Sequence, residues 1–188
     1  MIRSLLYLTT NRSGIIFSVY LCARFQSCPK ESHLLAVKVF CHYLSGTINL
    51  GLWYSRRTHI DLTCYSDAYF ARYKVDRKNT SGTCHFLGHS LVYWFRKKQN
   101  LVSLSTTEAE YIAAESCCAQ VLWMKQTLGD YGIYLDKIAI MCDNISAINL
   151  SKNHIQHSRT KHIKIRHHFL RDHVQKEDIS LNFVSTEE

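Results

Sequence analysis

The stretch SLSTTEAEYIAAESCCAQVLWMKQTL, Ser103–Leu128, decides how this chain is to be read. It opens with the acids Glu108, Glu110 and Glu115 and then turns apolar. On a helix, the residues four, seven, eleven, fourteen and eighteen places beyond Glu110 share its face; they are Ala114, Cys117, Val121, Met124 and Leu128, all apolar. The same steps from Glu108 reach Ile112, Glu115, Ala119, Leu122 and Gln126, a mixed stripe suited to a wet face. Glu110 is therefore expected at or near the core. Capping offers a blander use for these acids: Thr107 as N-cap makes Glu110 the reciprocal acid of a capping box, whereas Ser105 as N-cap gives that task to Glu108, the register the sequence favours. A carboxylate on a buried stripe is neutralised by a raised pKa, by a cationic side chain or by a metal ion.

Working outward, the helix is expected from about Thr106 to Leu128, ending at Gly129 and Gly132. Ahead of it IDLTCYSDAYF, TSGTCHFLG and SLVYWFRKK read as three β-rich runs of an antiparallel meander. Behind it DKIAIMCDN reads as a buried strand, NISAINLSK as a short helix, RTKHIKIRHHFLRDHVQK as a longer helix and DISLNFVST as a last strand. The region up to about Arg57 reads as helical, with Leu34, Val37, Phe40, Cys41 and Leu44 at helical spacing between Pro29 and Gly46. SRRTH, residues 55–59, is the expected joint, giving a helical segment 1–57 and an α/β domain 58–188.

Composition sets the partners. Of 188 residues, 46% are hydrophobic and 20% charged, as in an ordinary globular chain, and the net charge of +8 suits a polyanion, with nucleic acid foremost. The 8 cysteines have no C-x-x-C pair, so neither a zinc ribbon nor a disulfide framework is indicated, and reduced thiols of an intracellular chain are expected. Every apolar run is broken too early for a membrane span. Residues 1–30 carry Arg3, Arg12, Arg24 and Lys30 and no acid, a transit-peptide composition.

Partner acids for Glu110 are sought at strand ends, because strand tips and helix starts of an α/β sheet meet along one edge. Asp67 follows the run HIDLTCYS, and Asp143 ends KIAIMC. Converging carboxylates can hold hard divalent cations such as Mg²⁺, and a pair of ions supports in-line phosphoryl displacement. Each aspartate has an ordinary use as well: turn former for Asp67, N-cap of the helix at 144–151 for Asp143.

The ordered motifs YSDAYFARYKVDRKNTSGTCHFLGHSLVYWFRKKQNLVSLSTTEAEYIAAESC, MCDNISAINLSKN and HSRTKHIKIRHHFLRD resemble the ribonuclease H domain of copia-type LTR retrotransposon Pol polyproteins. SLLYLTTNRSGIIFSVYLCARFQSCPKESHLLAVKVFCHYLSGT resembles the segment that follows the reverse-transcriptase palm in the same polyproteins. The resemblance implies an α/β fold: a ribonuclease H-like mixed sheet with flanking helices, preceded by a small helical subdomain. It also implies hydrolysis of the RNA strand of an RNA–DNA hybrid with two Mg²⁺ or Mn²⁺ ions held by Asp67 of YSDA, Glu110 of EAEYIA and Asp143 of CDN. Other domains of the polyprotein are implied partners, and an intracellular, cytoplasmic setting is expected.

Arg96, Lys97 and Lys98 of FRKKQN, with Arg159, Lys161, Lys164, Arg166 and Arg171, are candidate phosphate contacts, and His162 beside Arg159 matches a family pattern. The alternative for these cations is a solvated face. His157, His162, His167, His168 and His173 include no pair four apart, which argues against a helical zinc site.

Departures from the family are also visible. The family continues into a final helix carrying a fourth metal-binding aspartate, whereas this sequence stops at FVSTEE; Glu187 and Glu188 are the substitutes on offer, but a frayed terminus is poorly suited to hold a carboxylate within the tolerance of a two-metal site. Tyr69, Arg72 and Tyr73 replace acidic and glycine residues, Lys164 and His167 stand for an acid and a tyrosine, and Ser13–Gly14 for Pro–Asp. Two functions are thus carried forward: a metal-dependent hybrid nuclease, impaired by the missing carboxylate, and an inactive remnant that at most binds nucleic acid.

Overall fold

The computed structural model describes residues 2–56, 60–69, 78–100, 102–152 and 166–185, without the side chains of Arg166 and His167. Two compact units divide at Tyr54/Ser55.

The first unit contains α1 (Ile2–Leu8), a 3₁₀ turn (Ser13–Ile15), α2 (Ile16–Ala23) and α3 (Glu31–Gly46). Its core is Leu5, Ile15, Val19, Cys22 and Val37, with Phe40 and Leu44 packed against it. The expected stripe of α3 is only partly the packed face: Leu34 and Cys41 are exposed, and Ala36 takes part instead. Only a narrow face of α3 is covered within this small unit, so the 3.6-residue period fixes the helix better than it fixes the rotation.

The second unit contains β1 (Leu62–Tyr69), β2 (Thr80–Leu87), β3 (Ser90–Lys98), α4 (Thr106–Asp130), β4 (Ile138–Cys142), α5 (Ile145–Lys152), α6 (Arg166–Gln175) and β5 (Ile179–Phe183). The strands form one mixed sheet in the order β3-β2-β1-β4-β5. The first three are antiparallel, as the meander reading expects, whereas β4 joins β1, and β5 joins β4, in parallel. Parallel neighbours need crossovers, and α4 and α5–α6 supply them. The α/β mixed sheet with flanking helices is therefore present. The N-terminal part of the helix expected over 159–176 lies outside the described residues.

The core lies between the sheet and α4–α6. Leu62 and Cys64 of β1, Ile138, Ile140 and Cys142 of β4, and Ile179 and Leu181 of β5 alternate inward beneath Tyr111, Ala114, Cys117, Cys118 and Val121 of α4. Alternation along β1 is clean: residues 62, 64, 66 and 68 are buried.

Both ends of α4 are set by local chemistry. Ser105 is the N-cap, its Oγ accepting the Glu108 N–H at 3.1 Å. The Glu108 carboxylate reaches one residue further back than a strict capping box and accepts the Leu104 N–H at 2.7 Å. At the other end Gly132, at φ +77, allows the Ile133 N–H to bond the Leu128 carbonyl at 3.0 Å and the Gly132 N–H to bond that of Gly129 at 2.9 Å. That pair is the Schellman closure, and it carries the helix past the expected stop at Leu128.

Candidate active site at the end of the central strands

Glu110 is buried, 6% exposed, as the helical wheel of α4 requires. Ala68, Ala109 and Ala113 form a small buried cluster where α4 crosses β1, and their methyl groups allow the close approach. The last β1–β4 pair is Ser66↔Cys142. Beyond it β1 runs on without β4, and the Ala68 N–H is taken by Glu110 Oε1 at 3.0 Å. The other carboxylate oxygen, Oε2, is buried and has no hydrogen-bond partner among the described residues.

Asp143 follows β4 directly, and one oxygen of it lies within 4.8 Å of Glu110 and of the Cys142 sulfur. Its alternative as helix cap is not realised, because Asn144 caps α5 by accepting the Ala147 N–H at 2.9 Å. Asp67 does not sit after a strand as its sequence setting suggests. It lies within β1, paired with Gly82 of β2. The strand outruns the apolar stretch because β2 continues to pair with it on the far side.

The electrostatics tie the three acids together. Burial above all, with added repulsion from Asp143 and Asp67, pushes Glu110 up to about 8 against the pull of the Ala68 N–H. Asp67, although exposed at its tip, is also raised, first by partial desolvation and then by Asp143, while Arg96 and the Ala68 N–H act against the rise. Burial pushes the Cys142 thiol up to about 11, so it is a neutral neighbour rather than a fourth anion. Glu110 and Asp143 bring carboxylate oxygens within 4.8 Å of each other and of the Cys142 sulfur, whereas Asp67 stands outside that close group and is tied to it by charge alone. The orphaned oxygen of Glu110 and the Asp143 carboxylate are hard donors of the kind a divalent cation takes.

One row crosses the sheet from Asp67 through Gly82 to Arg96, since these residues are successive register partners. Directly paired residues point to the same face, so Arg96 shares the face of Asp67, as does Lys98 through Thr80 and Tyr69. Gly82 leaves the space between Asp67 and Arg96 without a side chain. Lys97 pairs with Ser81 and Ala68 and stands on the opposite face, so strand alternation splits the FRKK cluster. Arg159, Lys161, His162 and Lys164 lie outside the described residues, as does the Arg166 side chain. Arg171 is buried in α6, its Nη2 donating to the Leu150 carbonyl at 3.2 Å. It ties α6 to α5 and is no surface phosphate contact.

Gln99, given no role of its own by the sequence, is buried and fixes the site from below. Its Nε2 donates to Ser81 Oγ and to the Ala109 carbonyl, both at 2.9 Å. Its Oε1 accepts from Ser103 Oγ at 3.0 Å and Asn79 Nδ2 at 3.3 Å. The amide is fully used, and it locks the residue before Glu110 to β2. Gln99→Leu would leave these partners buried and unmet, an expected loss of about 2–4 kcal/mol in urea unfolding. A change within 0.5 kcal/mol or so would deny Gln99 this role.

No protein-family model matches the chain. It is 37% identical over 153 residues to the retrovirus-related Pol polyprotein from transposon RE1 of Arabidopsis thaliana, a match covering 81% of this chain and 10% of that protein. It is 37% identical over 151 residues to the Pol polyprotein from transposon TNT 1-94 of Nicotiana tabacum, covering 80% and 11%. It is 34% identical over 122 residues to secreted RxLR effector protein 161 of Plasmopara viticola, covering 64% and 86%. Among solved structures it aligns with the N-terminal RNase H domain of rv2228c from Mycobacterium tuberculosis, with a TM-score of 0.49 and 9% identity over 69% of this chain and 86% of that one. The match thus spans about a tenth of the transposon polyproteins' own length. At 37% identity over about four fifths of its length, the chain fits a fragment of the copia-type retrovirus-related Pol polyproteins from transposons.

Proposed function

We propose that residues 58–188 form a ribonuclease H-type endonuclease segment of a Pol polyprotein, hydrolysing the RNA strand of RNA–DNA hybrids. The observation that carries this reading is Glu110: a buried carboxylate with one oxygen fixed by the Ala68 N–H and the other unmet, with Asp143 within 4.8 Å and the charge of Asp67 felt from further off. A buried acid of this kind is destabilising alone and favourable when a cation arrives. Asp67, Glu110 and Asp143 would hold the ions, two Mg²⁺ or Mn²⁺. Such ions, when bound, supply an activated water and stabilise charge on the departing 3′ oxygen.

The chain's own residues contribute orientation. The Ala68 N–H aims Glu110, Arg96 lends positive charge beside Asp67, and Gly82 leaves the row open for a sugar–phosphate backbone. Arg96 and Lys98 then meet phosphates; Lys97, on the other face, takes no part in that row. Arg159, Lys161, His162, Lys164 and Arg166 are proposed as further phosphate contacts on their sequence alone. Recognition of an RNA strand rests on its 2′-hydroxyls.

The test uses a hybrid labelled on each strand in turn, beside a DNA duplex of the same sequence. Cutting of the RNA strand alone is expected, with EDTA stopping it; equal cutting of the DNA duplex would refute the assignment. Hybrid affinity should fall steeply with salt, and Arg96→Ala with Lys98→Ala should flatten the log–log slope by about 1.5–2. An unchanged slope would place the contact elsewhere.

A further inference from the structure

A second cluster of ligand-type side chains lies in the core, apart from the carboxylates. Cys64 of β1 and His85 of β2 are direct register partners, so both point to the same, inner face of the sheet. Cys117 of α4 comes down over them. All three are 0% exposed, and a ligand atom from each lies within 4.8 Å of the others. His85 Nε2 stands 3.7 Å from Cys117 Sγ. Metal–sulfur bonds of about 2.3 Å and metal–nitrogen bonds of about 2.0–2.1 Å put sulfur and nitrogen roughly 3.6–3.8 Å apart at trigonal to tetrahedral angles.

We propose that Cys64, His85 and Cys117 form a buried site for a thiophilic d¹⁰ cation of the Zn²⁺ class. Two sulfurs and one imidazole are a soft donor set, unlike the oxygens around Glu110. Zn²⁺ would displace one proton from each thiol to the solvent, and the two thiolates would cancel its charge, leaving a neutral centre in a dry core. The imidazole is ready for this role, since burial lowers its pKa to about 4 and keeps it neutral at physiological pH. Without an ion it is poorly served. By hydrogen-bond geometry its Nδ1 has no partner among the described residues and Nε2 faces the Cys117 sulfur, while the backbones of Cys117 and Tyr93 lie near enough to oppose part of the fall in its pKa. Tyr93 and the imidazole pack edge to face, with centroids 5.2 Å apart, which holds the tilt of the ring. The three residues are far apart in sequence, so no local spacing announces the site.

The full chain is refolded with Zn²⁺, reductant and excess Mg²⁺, desalted, and its zinc content measured. One zinc per chain is expected for wild type and for Cys118→Ala, which removes a buried thiol outside the cluster. None is expected for Cys117→Ala or Cys64→Ala. Because those two changes also open the core, wild type is titrated in parallel with Cd²⁺, where a thiolate-to-metal charge-transfer band should saturate at one equivalent in excess Mg²⁺. Folded wild type without zinc and without that band, or folded Cys117→Ala that keeps its zinc, would overturn the proposal.

Discussion

Glu110→Gln lowers Mg²⁺-dependent cleavage of the hybrid by about 10³-fold or more, equivalent to about 4 kcal/mol of transition-state stabilisation, without unfolding the chain. The amide keeps an oxygen at the Oε1 position for the Ala68 N–H and removes the charge that the buried site tolerates only when a cation is present. In EDTA at pH 8 its thermal midpoint should therefore equal or exceed that of wild type. Asp67→Asn should show a similar catalytic loss. Glu108→Gln serves as contrast: that carboxylate accepts the Leu104 N–H at the start of α4, and its loss should cost only about 0.5–1 kcal/mol of stability and leave cleavage in place. Single-turnover rates and melting curves of the three variants separate these outcomes, and a Glu110→Gln chain that cuts at wild-type rate would remove Glu110 from the site.

The second large effect is the pH dependence of the cation-free chain. Glu110 has an ordinary value of 4.5 and is raised to about 8 in the fold, so the folded state holds its proton more tightly than the unfolded state does. The associated stability is complete below about pH 4.5 and is lost as pH rises to about 8, a span of roughly 3–5 kcal/mol. Asp67 shifts in the same direction. Urea unfolding in EDTA should show wild type losing stability between pH 5 and pH 8 relative to Glu110→Gln, whose profile lacks this component. Cations reverse the trend, because binding requires the carboxylate. Mg²⁺ affinity should fall about tenfold for each pH unit below 8 if one proton is displaced. Parallel pH profiles for wild type and Glu110→Gln would show that Glu110 titrates as an ordinary surface acid.

How far the sequence foretold this arrangement depends on the range of the interactions involved. Glu110 was legible because one apolar stripe of α4 faces one sheet, and a periodic pattern over 25 residues reports such a face directly. The strands from Leu62 to Lys98 were legible as β-rich runs separated by turn-like or charged segments, although burial alternates cleanly only along β1. Asp67 was found as a residue but misplaced as a strand end, since the length of β1 is set by pairing with β2. Asn144 rather than Asp143 caps α5, a choice between adjacent cap formers that propensity alone does not make. Gln99 and the Cys64–His85–Cys117 cluster were invisible, because their partners come from separate elements and only the closed sheet brings them together. Lys97 departs from Arg96 and Lys98 because a strand turns every second side chain away.

The most direct measurement is the chemistry of the cut ends. The full chain is incubated with Mg²⁺ and a hybrid labelled in its RNA strand, beside the folded Glu110→Gln variant, and the fragments are identified by mass. Wild type alone should release fragments with 5′-phosphate and 3′-hydroxyl ends, the products of water attack with a departing 3′ oxygen. Cyclic phosphates, or fragments equally abundant with Glu110→Gln, would come from a different chemistry; intact hybrid bound by folded wild type would mean that the carboxylates of this chain do not cut.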